Sequence, residues 1–181
     1  MRRLLLTLAL ALTLTPAPAS GQRPNPNLAL GGTVTASSTY PGRDYDPKAV
    51  VDGDRKGLGW AAGGGWNDGT FGQFPDDISV EFEGGRPLVV SRVVVVGLQD
   101  DFNNPTEPFV GQNSPYALRD FDVQVRDQKT HHWRTVATVA GNTKVISEVT
   151  FAPERTAAVR VVVRASAHDF SCVVEVEAYR E

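Results

Sequence analysis

The sequence of 181 residues has little of what several protein classes require. Its single cysteine, Cys172, excludes an intramolecular disulfide. The 18 basic residues are outnumbered by 21 acidic ones, for a formal net charge of -3, so no excess of positive charge attracts phosphate backbones. After the N-terminal segment, no apolar run is long enough to span a bilayer. We therefore expect neither a nucleic-acid partner nor membrane insertion.

The N-terminal segment is typical of an export signal. Residues 1–3 form a charged start, residues 4–14 an apolar run, and residues 17–19 a small-x-small cleavage pattern. We expect cleavage after Ala19, a linker over residues 20–26 and one domain over residues 27–181. The mature protein is thus expected to be secreted, in the periplasm or outside the cell.

The remaining sequence predicts β-strands and no long helix. Apolar and polar residues alternate in segments 33–37, 78–83 and 121–126, which is the pattern of half-buried strands. Residues 47–51 could form one helical turn at most. Strands without helices predict an all-β fold, a sandwich or barrel of about eight antiparallel strands. Further valine-rich candidate strands are residues 88–96, 133–139, 144–151, 158–164 and 172–179.

Two connections between these strands are unusually long, residues 41–77 and 99–118. Loops of this length in a compact domain are usually functional or disordered. These loops are rich in aromatic side chains, which disordered segments are not, so we expect ordered loops that concentrate recognition chemistry. The aromatic residues concerned are Trp60, Trp66, Phe71, Phe74, Phe102 and Phe109.

No convincing catalytic constellation occurs in the sequence. A nucleophile elbow, a pair of histidines spaced for zinc on a helix, a Walker loop and paired cysteines are all missing. Acidic residues could be paired for glycoside hydrolysis, but any acidic surface offers such pairs. Cys172 precedes two valines and is typical of a buried small apolar residue. We therefore expect a protein that is not an enzyme.

The turn Asp52-Gly53-Asp54 is the candidate metal site. Two carboxylates around a glycine can direct side-chain and backbone oxygens toward calcium, which takes roughly six to eight oxygen ligands. A distant carboxylate must complete the shell, and Glu175, with Glu177 behind it, is the candidate. In the alternative interpretation, the two aspartates only form Asx-turns and Glu175 faces water.

Three short segments combine an aromatic residue with amide or carboxylate side chains, at residues 66–68, 102–104 and 168–170. Proteins bind sugars with such groups, because a ring covers the C–H face and polar side chains take the hydroxyls. The alternative is that the rings fill the ends of the core; this is favoured for Trp60 and left open for Trp66. The candidate ligand residues are Trp66, Asn67, Asp68, Phe102, Asn103, His168 and Phe170.

Taken in order, several motifs resemble the coagulation factor 5/8 type C, or discoidin, domain. Within this family, the motifs resemble a bacterial secreted subgroup that is close to the family 32 carbohydrate-binding modules. The resemblance covers nearly all of residues 27–180 and depends on the order and separation of the motifs. Its segments are residues 27–31, 34–38, 50–54, Trp60, 65–68, 98–101, 151–153 and 174–179.

This resemblance implies an eight-stranded jelly-roll sandwich of the galactose-binding-like kind, without catalysis. It also implies a structural calcium site, with Asp52, the backbone of Asp54, a carbonyl near Ala49, and Glu175 as ligands. Gly57 stands where the family usually has a threonine ligand, so only a backbone ligand could remain there.

The family's ligand surface is formed by loops at one end of the sandwich, and Tyr40 occupies such an early loop. In lipid-binding members apolar side chains project from this loop, whereas here residues 41–44 are polar, which does not favour phospholipid binding.

The hypothesis from sequence is a secreted, non-catalytic carbohydrate-binding module that recognises a glycan or polysaccharide and holds a structural calcium ion. The alternative is a protein-interaction or adhesion domain of the cell envelope that uses the same loops.

Overall fold

A computed structural model describes residues 26–180 of the chain. The export signal expected over residues 1–19 and the linker as far as residue 25 lie outside this range. None of the helices formed by residues 26–180 has the length and apolar character needed to cross a membrane.

The described residues form two antiparallel sheets. One sheet has five strands in the order β1-β3-β8-β5-β6, and the other has four in the order β2-β9-β4-β7. The nine strands are β1 Thr33–Ala36, β2 Trp66–Asn67, β3 Asp76–Glu81, β4 Leu88–Gly97, β5 Leu118–Arg126, β6 Trp133–Val139, β7 Ile146–Thr156, β8 Ala158–Ser166 and β9 Cys172–Tyr179.

Alternation along the strands places the main core between the sheets. On β3 and the residue after it, Ile78, Val80 and Phe82 are buried, and on β5 Phe121 and Val123 are buried in the same way. The predicted antiparallel β-sandwich is confirmed. The additional strand β2 was not predicted, because its two residues are too short to show a periodic pattern.

A 3₁₀ helix at Pro47–Val51 is the helical turn expected from sequence. It leads directly into the turn of residues 52–54, here called the acidic turn. Asp46 caps it by accepting a hydrogen bond from the Lys48 backbone N–H at 2.9 Å. Val50 and Val51 enter the core, so the helix ends at Asp52 with this residue held at the surface.

A second apolar cluster covers the outer face of the four-stranded sheet. It combines residues of β4 and β9 with residues of the long connections, which explains why β9 is buried along both faces. Its buried members are Tyr45, Trp60, Val94, Val96, Leu98, Val145, Ile146, Cys172 and Val174. The long connections are therefore packed onto the sheet, and the candidate site lies above this cluster.

Candidate functional site

The long connections surround a cleft of about 290 Å³, here called the aromatic cleft. Six aromatic side chains and one imidazole are among its lining residues. The lining residues are Tyr40, Arg43, Tyr45, Trp60, Asn67, Leu98, Phe102, Tyr116, His168, Phe170 and Cys172.

The rings of one wall contact one another in a row. The ring centroids of Trp60 and Tyr45 are 5.3 Å apart, those of Tyr45 and Tyr40 are 6.0 Å apart, and those of Tyr40 and Phe170 are 5.6 Å apart. The two pairs that contain Tyr40 are edge-to-face, which is a favourable arrangement of aromatic rings at these distances. Each ring in the row therefore restricts the orientation of its neighbour.

A second row of rings is built from the connection between β4 and β5 and from the loop before β9. Phe102 and Tyr116 have ring centroids 5.6 Å apart, and the ring centroids of Tyr116 and His168 are 5.1 Å apart. The two rows come from segments far apart in the chain, so the cleft exists only in the folded protein.

A neighbouring cavity of about 300 Å³, here called the side cleft, shares Arg43, Trp60 and Phe102 with the aromatic cleft. Leu58 and Asn103 are among its other lining residues. Ring faces are thus bordered by a guanidinium group and amides, which can hydrogen-bond to hydroxyl groups.

Gln99, which is buried, connects two loops that border these clefts. Its amide Nε2 donates to the carbonyls of Lys56 and Thr106, both at 3.0 Å, and its Oε1 accepts from the Thr106 N–H at 3.3 Å. A buried amide with these bonds holds the connection 52–60 against the connection that contains Phe102.

The floor of the aromatic cleft is closed by Asn67 and Cys172. The Cys172 thiol donates to Oδ1 of Asn67 at 3.8 Å, and burial raises the pKa of this thiol to about 12. The thiol therefore stays protonated at neutral pH, as expected for a packing residue rather than a nucleophile.

The structure brings most of the predicted ligand residues together. Tyr40, Asn67, Phe102, His168 and Phe170 line the aromatic cleft, and Asn103 lines the side cleft.

Trp66 and Asp68 differ from the prediction, because both are fully buried. Trp66 belongs to the main core, and its indole N–H donates to the Ser38 carbonyl at 2.8 Å. Asp68 accepts hydrogen bonds from the Ser171 N–H at 2.6 Å and from the Thr70 N–H at 2.7 Å. The core alternative for Trp66 is correct, and Asp68 has a structural role.

Six residues that line the aromatic cleft were not predicted as ligand residues: Arg43, Tyr45, Trp60, Leu98, Tyr116 and Cys172. Tyr45 and Tyr116 lie within the two long connections, so counting tyrosines with the other loop aromatics would have found them. Trp60 was predicted as core; it does pack in the second cluster, but part of its ring also lines the cleft.

The aspartates of the acidic turn make the bonds of Asx-turns. Oδ1 of Asp52 accepts from the Asp54 N–H at 2.7 Å, and Oδ1 of Asp54 accepts from the Lys56 N–H at 3.1 Å. The Asx-turns of the alternative interpretation are therefore present, and the calcium site stays a prediction. The other part of that interpretation is wrong, because Glu175 does not face water.

Glu175 is fully buried beneath the acidic turn. Its Oε1 accepts from the Gly53 N–H at 3.2 Å, whereas its Oε2 has no hydrogen-bond partner in the described part of the chain. Burial, together with the charges of Asp52 and Glu177, raises the pKa of Glu175 to about 9. Arg55, whose positive charge also acts on Glu175, is bonded to Glu177, with its Nε 2.6 Å from Oε1.

The donor set around Glu175 fits a hard cation. Such an ion would be bound by the unpartnered buried carboxylate oxygen of Glu175 and by the neighbouring Asp52, with backbone carbonyls as further ligands. Backbone ligands would be needed, because no group of three His, Cys, Asp or Glu side chains that could hold a metal occurs in residues 26–180.

The position of the family's threonine ligand is occupied here by Gly57. Gly57 has a φ of +70°, and an added Cβ would approach Val174 to 3.0 Å, so a threonine is disfavoured there.

A second pair of buried carboxylates, Asp68 and Asp76, lies under the loop before β3. The Thr70 hydroxyl is 2.9 Å from Oδ2 of Asp68 and 3.1 Å from Oδ1 of Asp76, although it has only one hydrogen. The Ser171 hydroxyl donates to Oδ2 of Asp76 at 2.8 Å. Burial is the main cause that raises the pKa of Asp76.

Replacing Asp76 by asparagine is therefore expected to change how stability depends on pH. Because the folded state holds the proton more tightly, Asp76 stabilises the fold below about pH 3.9, and this contribution is lost as the pH rises through the folded-state pKa. Urea unfolding of wild type and Asp76→Asn between about pH 4 and pH 7 should show the wild type losing stability relative to the variant. If the free energies of unfolding of the two proteins changed with pH in the same way, this prediction would be contradicted.

The fold is shared with solved carbohydrate-binding modules. A family 32 module of Streptococcus pneumoniae EndoD matches with a TM-score of 0.65 and 16% identity, over 86% of this chain and 100% of that chain. A chitosan-binding module of a Paenibacillus chitosanase/glucanase, solved with chitotriose, matches with a TM-score of 0.61 and 21% identity, over 85% and 100%. A family 32 module of Clostridium perfringens, solved with GalNAc-β-1,3-galactose, matches with a TM-score of 0.63 and 14% identity, over 86% and 100%.

No family model and no curated protein matches the sequence. At these identities the solved structures show the fold alone. The resemblance of the short motifs to the discoidin-like family 32 modules is thereby confirmed for the architecture over most of the chain.

Proposed function

We propose that this protein binds a glycan without catalysis, through the aromatic cleft. The observation that carries the proposal is the convergence of six aromatic rings and an imidazole on one open cleft, with Asn67 and Arg43 among its polar lining residues. Ring faces fit the C–H faces of sugars, and amide and guanidinium groups fit their hydroxyls.

Two further observations support this proposal. Structural neighbours with the same fold are binding modules solved with chitotriose and with GalNAc-β-1,3-galactose. Hydrolysis of glycosides normally needs two carboxyl groups beside the bond, and the described residues that line the two clefts include no carboxylate. Affinity for one sugar is expected to be modest, because an open cleft buries little of its ligand.

A structural calcium ion is part of the proposal. The supporting observation is the buried Oε2 of Glu175, which lacks a hydrogen-bond partner among the described residues. The Ala49 carbonyl, Asp52, the Asp54 backbone and Glu175 would hold the ion, whose charge would compensate the buried carboxylate.

The acidic turn is coupled to the cleft by local bonds. Oδ2 of Asp54 accepts from the Leu58 N–H at 3.0 Å, and Leu58 lines the side cleft together with Trp60. A calcium ion at the turn would therefore stabilise the loop that presents Trp60.

Export is the remaining part of the proposal, since residues 1–19 carry the pattern of a signal peptide. Glycans of cell surfaces and polysaccharides would then be accessible to the protein. N-terminal sequencing of the protein recovered outside the cytoplasm should begin at Ser20; a first residue at Met1 in that fraction would contradict cleavage.

A glycan array tests the proposed function. We expect the wild type to bind one or more glycans, and Phe102→Ala or His168→Ala to weaken binding about tenfold or more, because each removes a ring from the cleft. Chitotriose and GalNAc-β-1,3-galactose are suitable first probes. Melting temperatures should show that both variants remain folded.

The control for this experiment is Phe109→Ala, since Phe109 is exposed and is not among the residues that line either cleft. Its affinity should equal that of the wild type. No binding across the array, together with an envelope protein captured through the same loops, would instead support the adhesion alternative.

A further inference from the structure

The row of rings in the aromatic cleft continues beyond the cleft itself. Phe71 is 63% exposed, and its ring centroid lies 5.2 Å from that of Phe170, which lines the cleft. Trp60, Tyr45, Tyr40, Phe170 and Phe71 thus form one connected series of ring contacts. Phe71 is its outermost member and has a free face toward solvent.

A backbone hydrogen bond joins the loop that carries Phe71 to the loop before β9. The Gly72 N–H donates to the Asp169 carbonyl at 2.8 Å, which connects the Phe71 loop to the loop of His168 and Phe170. Asp169 has a φ of +57°, an uncommon backbone conformation for a residue other than glycine, and such outliers cluster at binding sites.

The other side of the same loop packs against the backbone near Tyr40. A Cβ added at Gly69 would lie 2.8 Å from the Thr39 carbonyl oxygen, so glycine permits this close approach. Asp68 accepts from the Thr70 N–H at 2.7 Å, and the Gln73 N–H donates to the Thr70 carbonyl at 3.1 Å. A loop with these bonds presents an exposed ring at little cost in entropy on binding.

We propose that Phe71 is a second sugar platform and that the ligand is an oligosaccharide of two or more sugar units. One unit occupies the aromatic cleft, and the next lies on the exposed face of Phe71. This inference rests on the proposed glycan-binding function. The connected rings and the anchored loop favour a glycan that leaves the cleft along this row.

The chemistry beside Phe71 suits such a ligand. The side chain of Gln73 is exposed two residues later. An amide near a ring face can hydrogen-bond to sugar hydroxyls, whereas a purely apolar surface would suit a lipid or an apolar protein surface.

The test compares monosaccharides with their oligosaccharides by calorimetry, on an array-selected set that includes glucosamine with chitotriose and galactose with GalNAc-β-1,3-galactose. For Phe71→Ala we expect affinity for the oligosaccharide to fall about threefold to tenfold. Affinity for the matching monosaccharide should remain that of the wild type, because that sugar sits in the cleft.

Two variants keep the test specific. Phe71→Leu retains apolar bulk against Phe170 but has no ring face, so it should also lose oligosaccharide affinity. Phe109→Ala removes a ring that is 66% exposed, and it should leave both affinities unchanged.

The outcomes separate this inference from the function on which it rests. If Phe71→Ala lost affinity equally for monosaccharide and oligosaccharide, or lost no affinity at all, Phe71 would not be a second sugar platform. Glycan binding in the cleft would be unaffected by that result. A wild type that binds no sugar of the set would overturn the proposed function, and the platform with it.

Discussion

Replacing Trp66 by alanine is expected to lower the free energy of unfolding by about 3–5 kcal/mol, because it leaves a cavity in the main core. The side chain is fully buried, and the Ser38 carbonyl would lose the indole N–H at 2.8 Å. For a domain of this size the melting temperature should fall by about 6–20 °C. Thermal and urea unfolding measure both quantities.

Two further tryptophan variants distinguish a core role from a ligand role. Trp66→Phe keeps most of the apolar volume and should lower the free energy of unfolding by about 1–2 kcal/mol, mainly because the hydrogen bond is lost. Its glycan affinity should equal that of the wild type. Trp133→Ala should cost far less than Trp66→Ala, since Trp133 is only half-buried. A folded Trp66→Phe protein that loses glycan affinity tenfold would show that Trp66 belongs to the binding surface.

Removing calcium is expected to have the second large effect. At a concentration 100 to 1,000 times its dissociation constant, an ion that binds only the folded state stabilises it by about 2.7–4.1 kcal/mol. A chelator should then lower the melting temperature by about 5–15 °C. The physical reason is that the metal-free protein leaves the carboxyl group of Glu175 buried beside Asp52 without a cation.

Glu175→Gln is the decisive variant for this prediction. It keeps the size of the side chain but removes the charge, so most of the shift between calcium and chelator should disappear. Glu83→Gln, at an exposed acid, should keep the full shift. An unchanged melting temperature of the wild type in calcium and in chelator would contradict a structural calcium ion. An equal shift in Glu175→Gln would show that the ion binds at a different site.

The strands were predictable because their pattern is local. Trp133–Val139 and Cys172–Tyr179 have the predicted bounds, and the other long strands differ from the predicted bounds by one to five residues at one or both ends. Side-chain alternation depends only on the extended backbone, so the buried face of β3 and of β5 follows from the order of residues.

The candidate site was predictable in part. Ordered loops rich in aromatic residues follow from composition, but the direction in which each ring points does not. Trp60 and Trp66 show this most clearly, since they lie in the same glycine-rich connection. Trp66 is turned into the core where it pairs with Val173 of β9, and Trp60 lies so close to Gly65 that an added Cβ would be 2.3 Å from its ring.

Strand periodicity, the lack of an intramolecular disulfide and the residue types available for recognition all follow from the order of amino acids alone. The tertiary structure alone decided which rings share a cleft, and that Glu175 is buried against Gly53, 122 positions away in the chain. The physical reason is that an irregular loop has no repeating geometry of its own. Its side chains take their directions from distant contacts, such as β9 beneath the acidic turn and Gln99 between the loops, which no local pattern encodes.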